Sequence, residues 1–272
     1  MDNISKLVRE RRSVRAYDGT PLSDAHLSRI LECMGEIENP WSVPVEFRLL
    51  DAKKYGLFSP VISGTELYAG AKIKRVSHAE EAFGYSFETL VLFAQSLGIG
   101  TVWIGGTMKR AAFEKAMEVA EDEIMPCVTP LGYAAKKMSL KETMMRAAVK
   151  ADSRLEFESL FFDGTPDAPL TREKAGWARQ SLELVRLAPS AVNKQPWRVI
   201  VEGNAAHFYE KKSKGFVSPA TGDLQKVDVG IALCHFDLGA REAGMTPELS
   251  IHNPEIPVGA DMEYVATWRI PE

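Results

Sequence analysis

The feature that most constrains this chain is an order of elements that occurs twice. A helical pattern leads into Pro40-Trp41 and VEFRLLD, and a later one leads into Pro196-Trp197 and RVIVEG, 156 residues further on (196 − 40). Each is followed by a long helical stretch, FETLVLFAQSLGIG and GIALCHFDLGAREAG, in which Gly98 stands opposite Gly244 at a spacing of 146 (244 − 98). Two copies of one helix-and-strand unit would let each cover the sheet face or edge that the other leaves open. The smaller second spacing makes the second copy the shorter. Internal duplication is the natural reading, and convergent helix-strand patterning is the alternative.

Local signals fill in the copies. SDAHLSRILECMG carries apolar residues at helical spacing, with Ser23 as N-cap and Gly35 as stop, and VEFRLLDA alternates like a strand. AEEAFGYSFETLVLFAQSLGIG is helical and runs into TVWIGG, while EIMPCVTPLGYA reads as a buried strand. The polar stretch from 139 to 165, ending in FFDGT, reads as a linker because Asp-Gly signals a turn. Beyond it come helix TREKAGWARQSLELVRLAPS, strand WRVIVEG, helix LQKVDVGIALCHFDLGAREAG and strand MEYVATWRI. The expected halves are 1–165 and 166–272, in an α+β fold whose two pseudo-symmetric halves each pack helices on a mainly antiparallel sheet.

Composition excludes some classes. A net charge of −4 gives no overall pull toward nucleic acid. No stretch approaches the roughly 18 apolar residues of a spanning helix, and MDNISKLVRERRS lacks an apolar signal core, so the expectation is a cytoplasmic chain without membrane or nucleic-acid partners. Cys33, Cys127 and Cys234 form no CxxC and read as buried free thiols. The five histidines show no ligand spacing, so no metal is expected.

Two segments carry chemistry. RERRSVRAY gathers Arg11, Arg12, Ser13 and Arg15, fork-shaped donors and a hydroxyl suited to phosphate, although such a run is also an ordinary solvated helix end. APSAVNKQPW, from Ala188 to Trp197, places Pro189, Ser190, Asn193 and Gln195 between a helix and a strand, where amides can donate to and accept from a heteroaromatic ring; a capped turn is the plain alternative. TVWIGG lacks the GxxxxGK[ST] spacing of a triphosphate loop.

RRSVRAY near the N-terminus, PSAVNKQPWRVIV, a helix ending SLGIGTVWIGG and a strand ending LGYAAKK together resemble the nitroreductase family of FMN enzymes. In that family two identical subunits share two flavins, each held by the arginine-serine motif of one subunit and the PSxxNxQPW turn of the other. Here TREKAGWARQ lacks the first motif and MGEIENPW has lost the second, so only one complete site can form. The chain thus resembles the fused, single-chain nitroreductase-like proteins, and the resemblance implies a monomer acting as a pseudo-dimer. By position it implies Arg11 and Ser13 at the FMN phosphate or ribityl chain, with Arg12 beside them and Lys136 or Lys137 as helpers. It puts Arg15 at the pyrimidine edge, Pro189, Ser190, Asn193 and Gln195 on the opposite side, and the backbone of Ile104, Gly105 and Gly106 facing flavin N5. No side chain is assigned a catalytic role, because the flavin carries the redox chemistry. The implied activity passes hydride from NAD(P)H to a small planar acceptor such as a nitroaromatic, quinone or flavin; a noncatalytic FMN-binding or sensing protein is the other reading.

Overall fold

A computed structural model describes residues 1–136, 143–144 and 153–271. Two long helices, Ala79–Ser96 and Leu224–Glu242, form its spine. α1 (Ile4–Glu10) and α2 (Asp24–Glu36) come first, the latter capped by Ser23, whose side chain accepts from His26 N–H. Gly35 does not stop α2; the helix runs one residue past it and breaks before Pro40, where proline disfavours helix in the residue ahead. After β1 (Val45–Asp51) and the short α3 (Ala52–Tyr55) comes β2 (Leu67–Lys74), which pairs antiparallel with β1, β3 (Glu123–Ile124) and β4 (Val128–Leu131). α4 (Ala79–Ser96) packs Phe83, Phe87 and Val91 into the core of this first sheet, and α5 (Arg110–Met117) adds Phe113, stacked edge-on to Tyr68.

The second sheet belongs to the C-terminal half. Its strand order is β10 (Glu248–Ser250), β11 (Met262–Arg269), β7 (Ala205–Lys211), β6 (Trp197–Glu202) and β5 (Phe161–Asp163), antiparallel except for the parallel β5–β6 pair. A small hairpin, β8 (Val217–Ser218) with β9 (Gly222–Asp223), precedes α8 (Leu224–Glu242). Residues 157–163 are not linker. α6 (Phe157–Leu160) and β5 bury Phe157, Leu160 and Phe161 completely in the second core, so that apolar content overrides the Asp-Gly turn signal beside it. The chain enters the second sheet at Phe161, four residues before the boundary expected from sequence. Among the thiols, Cys127 and Cys234 are buried but Cys33 is only partly so.

α7 (Arg179–Leu187) and α8 pack on the second sheet, where Phe208 meets Phe236 edge-on at 5.5 Å. α4 and α8 cross in contact. A Cβ on Gly84 would lie 2.1 Å from Val227 O, and one on Gly230 would lie 2.2 Å from Glu81 O. The two contacts are reciprocal at an offset of 146 (227 − 81 and 230 − 84), the spacing that relates Gly98 to Gly244. Those two glycines end their helices in the left-handed region, at φ 72° and 81°, where a side chain would be strained.

Candidate functional site

The N-terminal basic motif is an extended segment threaded between other parts of the chain. Ser13 lies in parallel register with Thr101, Ala16 with Ser63, and Tyr17 antiparallel to Ala134. Val14 N–H donates to Thr101 O at 2.9 Å and Ala135 N–H to Ala16 O at 3.0 Å. Alternation buries Val14 and Ala16 and leaves Ser13 and Arg15 half-buried on the other face, beside half-buried Arg11 and Arg12. Lys136, exposed, follows directly on Ala135, whose N–H donates to Ala16 O; Lys137 lies outside the described residues.

Thr101 opens the segment that carries Ile104, Gly105 and Gly106. Ile104 exchanges both backbone hydrogen bonds with Val128, at 2.9 and 3.0 Å. The Gly105 carbonyl accepts from Arg110 Nη2 at 2.5 Å, and Arg110 Nη1 donates to Met125 O at 2.7 Å. Behind Gly105, a Cβ would lie 3.3 Å from Cys127 Sγ; over Gly106 it would meet nothing within 4 Å. Burial, and then the nearby Asp228, push the Cys127 thiol up to about 12, which keeps it protonated.

Asp228 holds the second motif. It is buried on α8, and both carboxylate oxygens accept the Ala191 N–H at 3.0 Å. Burial holds its carboxyl well above the usual range, against the pull of that N–H and with a further push from Asp223 and Glu210. The turn it pins is strained: Val192, Asn193 and Gln195 have φ of 44°, 58° and 50°. Left-handed backbone at residues other than glycine costs roughly 1–3 kcal/mol each and persists only where the surroundings fix it. Ser190 Oγ accepts Gln195 N–H at 2.9 Å, and Asn193 Nδ2 donates to Ser153 O at 3.1 Å. Gln195 is buried, and its Oε1 accepts Leu155 N–H at 3.0 Å. Pro189 and Ser190 remain half-exposed.

The structure ties the arginine-serine segment to the Thr101 end of 101–106, and it brings the PSAVNKQPW turn toward the Gly105 end through α8, whose Leu224 lies 3.8 Å from a Cβ on Gly105 and whose Asp228, one turn on, holds Ala191. Arg110, Asp228 and Arg154, which donates to Leu187 O at 3.1 Å beside the turn, were not signalled by any motif. At the corresponding first-half turn, Trp41 is stacked on His78 and edge-on to Tyr85.

A family model described as "Putative TM nitroreductase" matches residues 3–240, and the chain belongs to that nitroreductase family. Among solved structures, a "putative nitroreductase" of Thermotoga maritima is 19% identical and superposes with a TM-score of 0.64 over 98% of this chain and 93% of that one, which establishes the shared fold. An FMN-dependent nitroreductase of Clostridium difficile R20291 is 16% identical, with a TM-score of 0.42 over 49% of this chain and 88% of its own. No curated protein matches the chain. Among the described residues, no helix is long and apolar enough to cross a membrane.

Proposed function

We propose that this chain is an FMN-dependent oxidoreductase that takes hydride from NAD(P)H and delivers it to a small planar acceptor, with one flavin site assembled from both halves of a duplicated monomer. The observation that carries the reading is the convergence on residues 101–106 of a basic segment at one end and a strained amide-bearing turn at the other. The donor set fits the cofactor. Arg11, Arg12, Ser13 and Lys136 suit a phosphate and ribityl chain, Arg15 suits the pyrimidine edge, and the open space over Gly106 lets a flat ring approach the backbone. Bound FMN would supply hydride transfer through N5. The protein's part is placement: Arg110 and Val128 hold the Ile104–Gly105 backbone, Asp228 holds the turn, and the half-buried arginines supply positive field where reduction adds negative charge. The reciprocal contacts of α4 and α8 support the duplication, and the absence of the PSAVNKQPW motif from MGEIENPW supports a single site.

The test is an absorbance spectrum of the protein supplied with FMN and then, without oxygen, with NADPH or NADH. The expected result is bound flavin whose peaks bleach. Flavin that binds and stays oxidised would instead make the protein a noncatalytic FMN binder, and no binding would sink the site. Arg11→Ala and Asn193→Ala, on opposite sides of the site, should each weaken FMN binding by about 1–3 kcal/mol, roughly 5- to 150-fold. Titration by flavin fluorescence checks this, and wild-type affinity in both variants would refute a site shared between halves.

A further inference from the structure

Between the two spine helices lies a polar chain that helix packing does not require. Glu88 of α4 and His235 of α8 are both fully buried, with Oε1 of Glu88 2.9 Å from Nε2 of His235. The other carboxylate oxygen accepts from Trp103 Nε1 at 2.9 Å, and His235 Nδ1 lies 2.9 Å from Leu184 O. A carbonyl only accepts, so Nδ1 carries hydrogen, and Nε2 and Glu88 share one proton between them. An apolar pair of similar volume would hold the two helices at least as well. What the polar pair adds is direction.

Each end of the chain reaches one wall of the site. Trp103 immediately precedes Ile104, Gly105 and Gly106. Its ring lies 4.7 Å from Phe87 and 6.5 Å from Phe83, but aromatic packing leaves the second side-chain torsion of tryptophan with two broad wells. The hydrogen bond to Glu88 selects one of them. At the other end, Leu184 belongs to α7, the helix that delivers the PSAVNKQPW turn. Asp228, which pins that turn at Ala191, sits seven residues before His235 on α8, two turns away on the same helix face. One face of α8 is thus the common reference for both walls.

We propose that His235 and Glu88 are positioning residues that set the spacing between the Ile104–Gly106 backbone and the Ser190–Gln195 turn, and so the fit to oxidised against reduced flavin; the flavin part rests on the function proposed above. Trp103→Phe removes the indole N–H together with the part of the ring that carries it, so the melting transition is followed as the measure of packing lost against Phe87 and Phe83. Glu88→Gln can keep every bond, its oxygen accepting from Trp103 and its amide donating to a neutral His235. In protein without cofactor, hydrogen exchange across 103–107 should run at least tenfold faster in Trp103→Phe, with the melting transition retained, and at the wild-type rate in Glu88→Gln. In protein with FMN, Trp103→Phe should change the ratio of affinities for oxidised and reduced flavin about tenfold, a midpoint shift of about 30 mV for a two-electron couple, and Glu88→Gln should not. Unchanged exchange in a folded Trp103→Phe overturns the positioning role, as does an equal acceleration in Glu88→Gln. Accelerated exchange with an unmoved potential overturns the link to flavin. Accelerated exchange in Trp103→Phe together with a wild-type protein that binds no FMN overturns the cofactor reading and leaves the positioning of the segment upheld.

Discussion

Replacing Gly84 or Gly230 with alanine should lower the melting temperature by roughly 5–10 °C, a loss of about 2–3 kcal/mol. Alanine in a helix interior ordinarily gains about 1 kcal/mol over glycine, so the sign is the informative part. The new methyl group would sit 2.1 Å from Val227 O in one case and 2.2 Å from Glu81 O in the other, and both obstacles are backbone of the facing helix, which cannot rotate away. The helices would have to part, and the packing of Phe83 and Phe87 on one side and Phe236 on the other would loosen with them. Because both glycines lie at one crossing, parting for the first makes room for the second, and the double variant should lose less than the sum of the singles. Thermal melts of the three variants check this. A single variant as stable as wild type would mean that the helices do not approach so closely.

The two long helices that end in glycine and the strands that follow the Pro-Trp pairs were legible in the sequence, since their patterns are visible without knowing any contact. Ser23 was legible too, since a serine ahead of an amphipathic run can cap the helix by its own hydroxyl. β2 and β7 were not. LYAGAKIK lies between paired strands and is buried along most of its length, including Lys72, which pairs with Glu123 at 2.9 Å, so no polar alternation marks it. AAHFYEK is buried likewise. At the site, the arginine-serine segment and the PSAVNKQPW turn announced themselves as clusters of donors. Arg110 at Gly105, Asp228 at Ala191 and the Glu88–His235 pair between α4 and α8 are single side chains on helices, and the chain spacing of Glu88 and His235 (235 − 88 = 147) says nothing of their contact until the helices cross. The burial of Gln195 was equally hidden, because its partner, Leu155 N–H, comes from a stretch that read as linker.

Glu210→Gln should make the protein more stable at pH 8 by up to about 3 kcal/mol while changing little near pH 4.5. Glu210 lies on β7, 1% exposed, and its Oε2 is buried with no hydrogen-bond partner among the described residues. Burial first, then the charges of Asp223 and Glu263, push its carboxyl up to about 7, against the opposing pull of Lys226 and Lys212. In the unfolded chain the same group titrates near 4.5. Between those values the folded protein holds a proton that the unfolded chain has released, so the group's contribution to stability is complete below about pH 4.5, declines as pH rises and is lost above about 7. At about 1.36 kcal/mol per pKa unit, the difference gives the expected magnitude. Glutamine keeps the shape and cannot ionise, so the stability of the variant relative to wild type should climb across that window and level off. Other buried acids titrate in the same sense, Asp228 and Asp237 among them, whereas Glu183 and Glu123, lowered by their cationic neighbours and hydrogen bonds, act in the opposite one. Taking the difference between variant and wild type removes them all from the comparison. Chemical denaturation at intervals from pH 4.5 to 8 makes the measurement; parallel curves would mean that Glu210 ionises in the fold as it does in the open chain, and that the strand beside Pro196 has water reaching it.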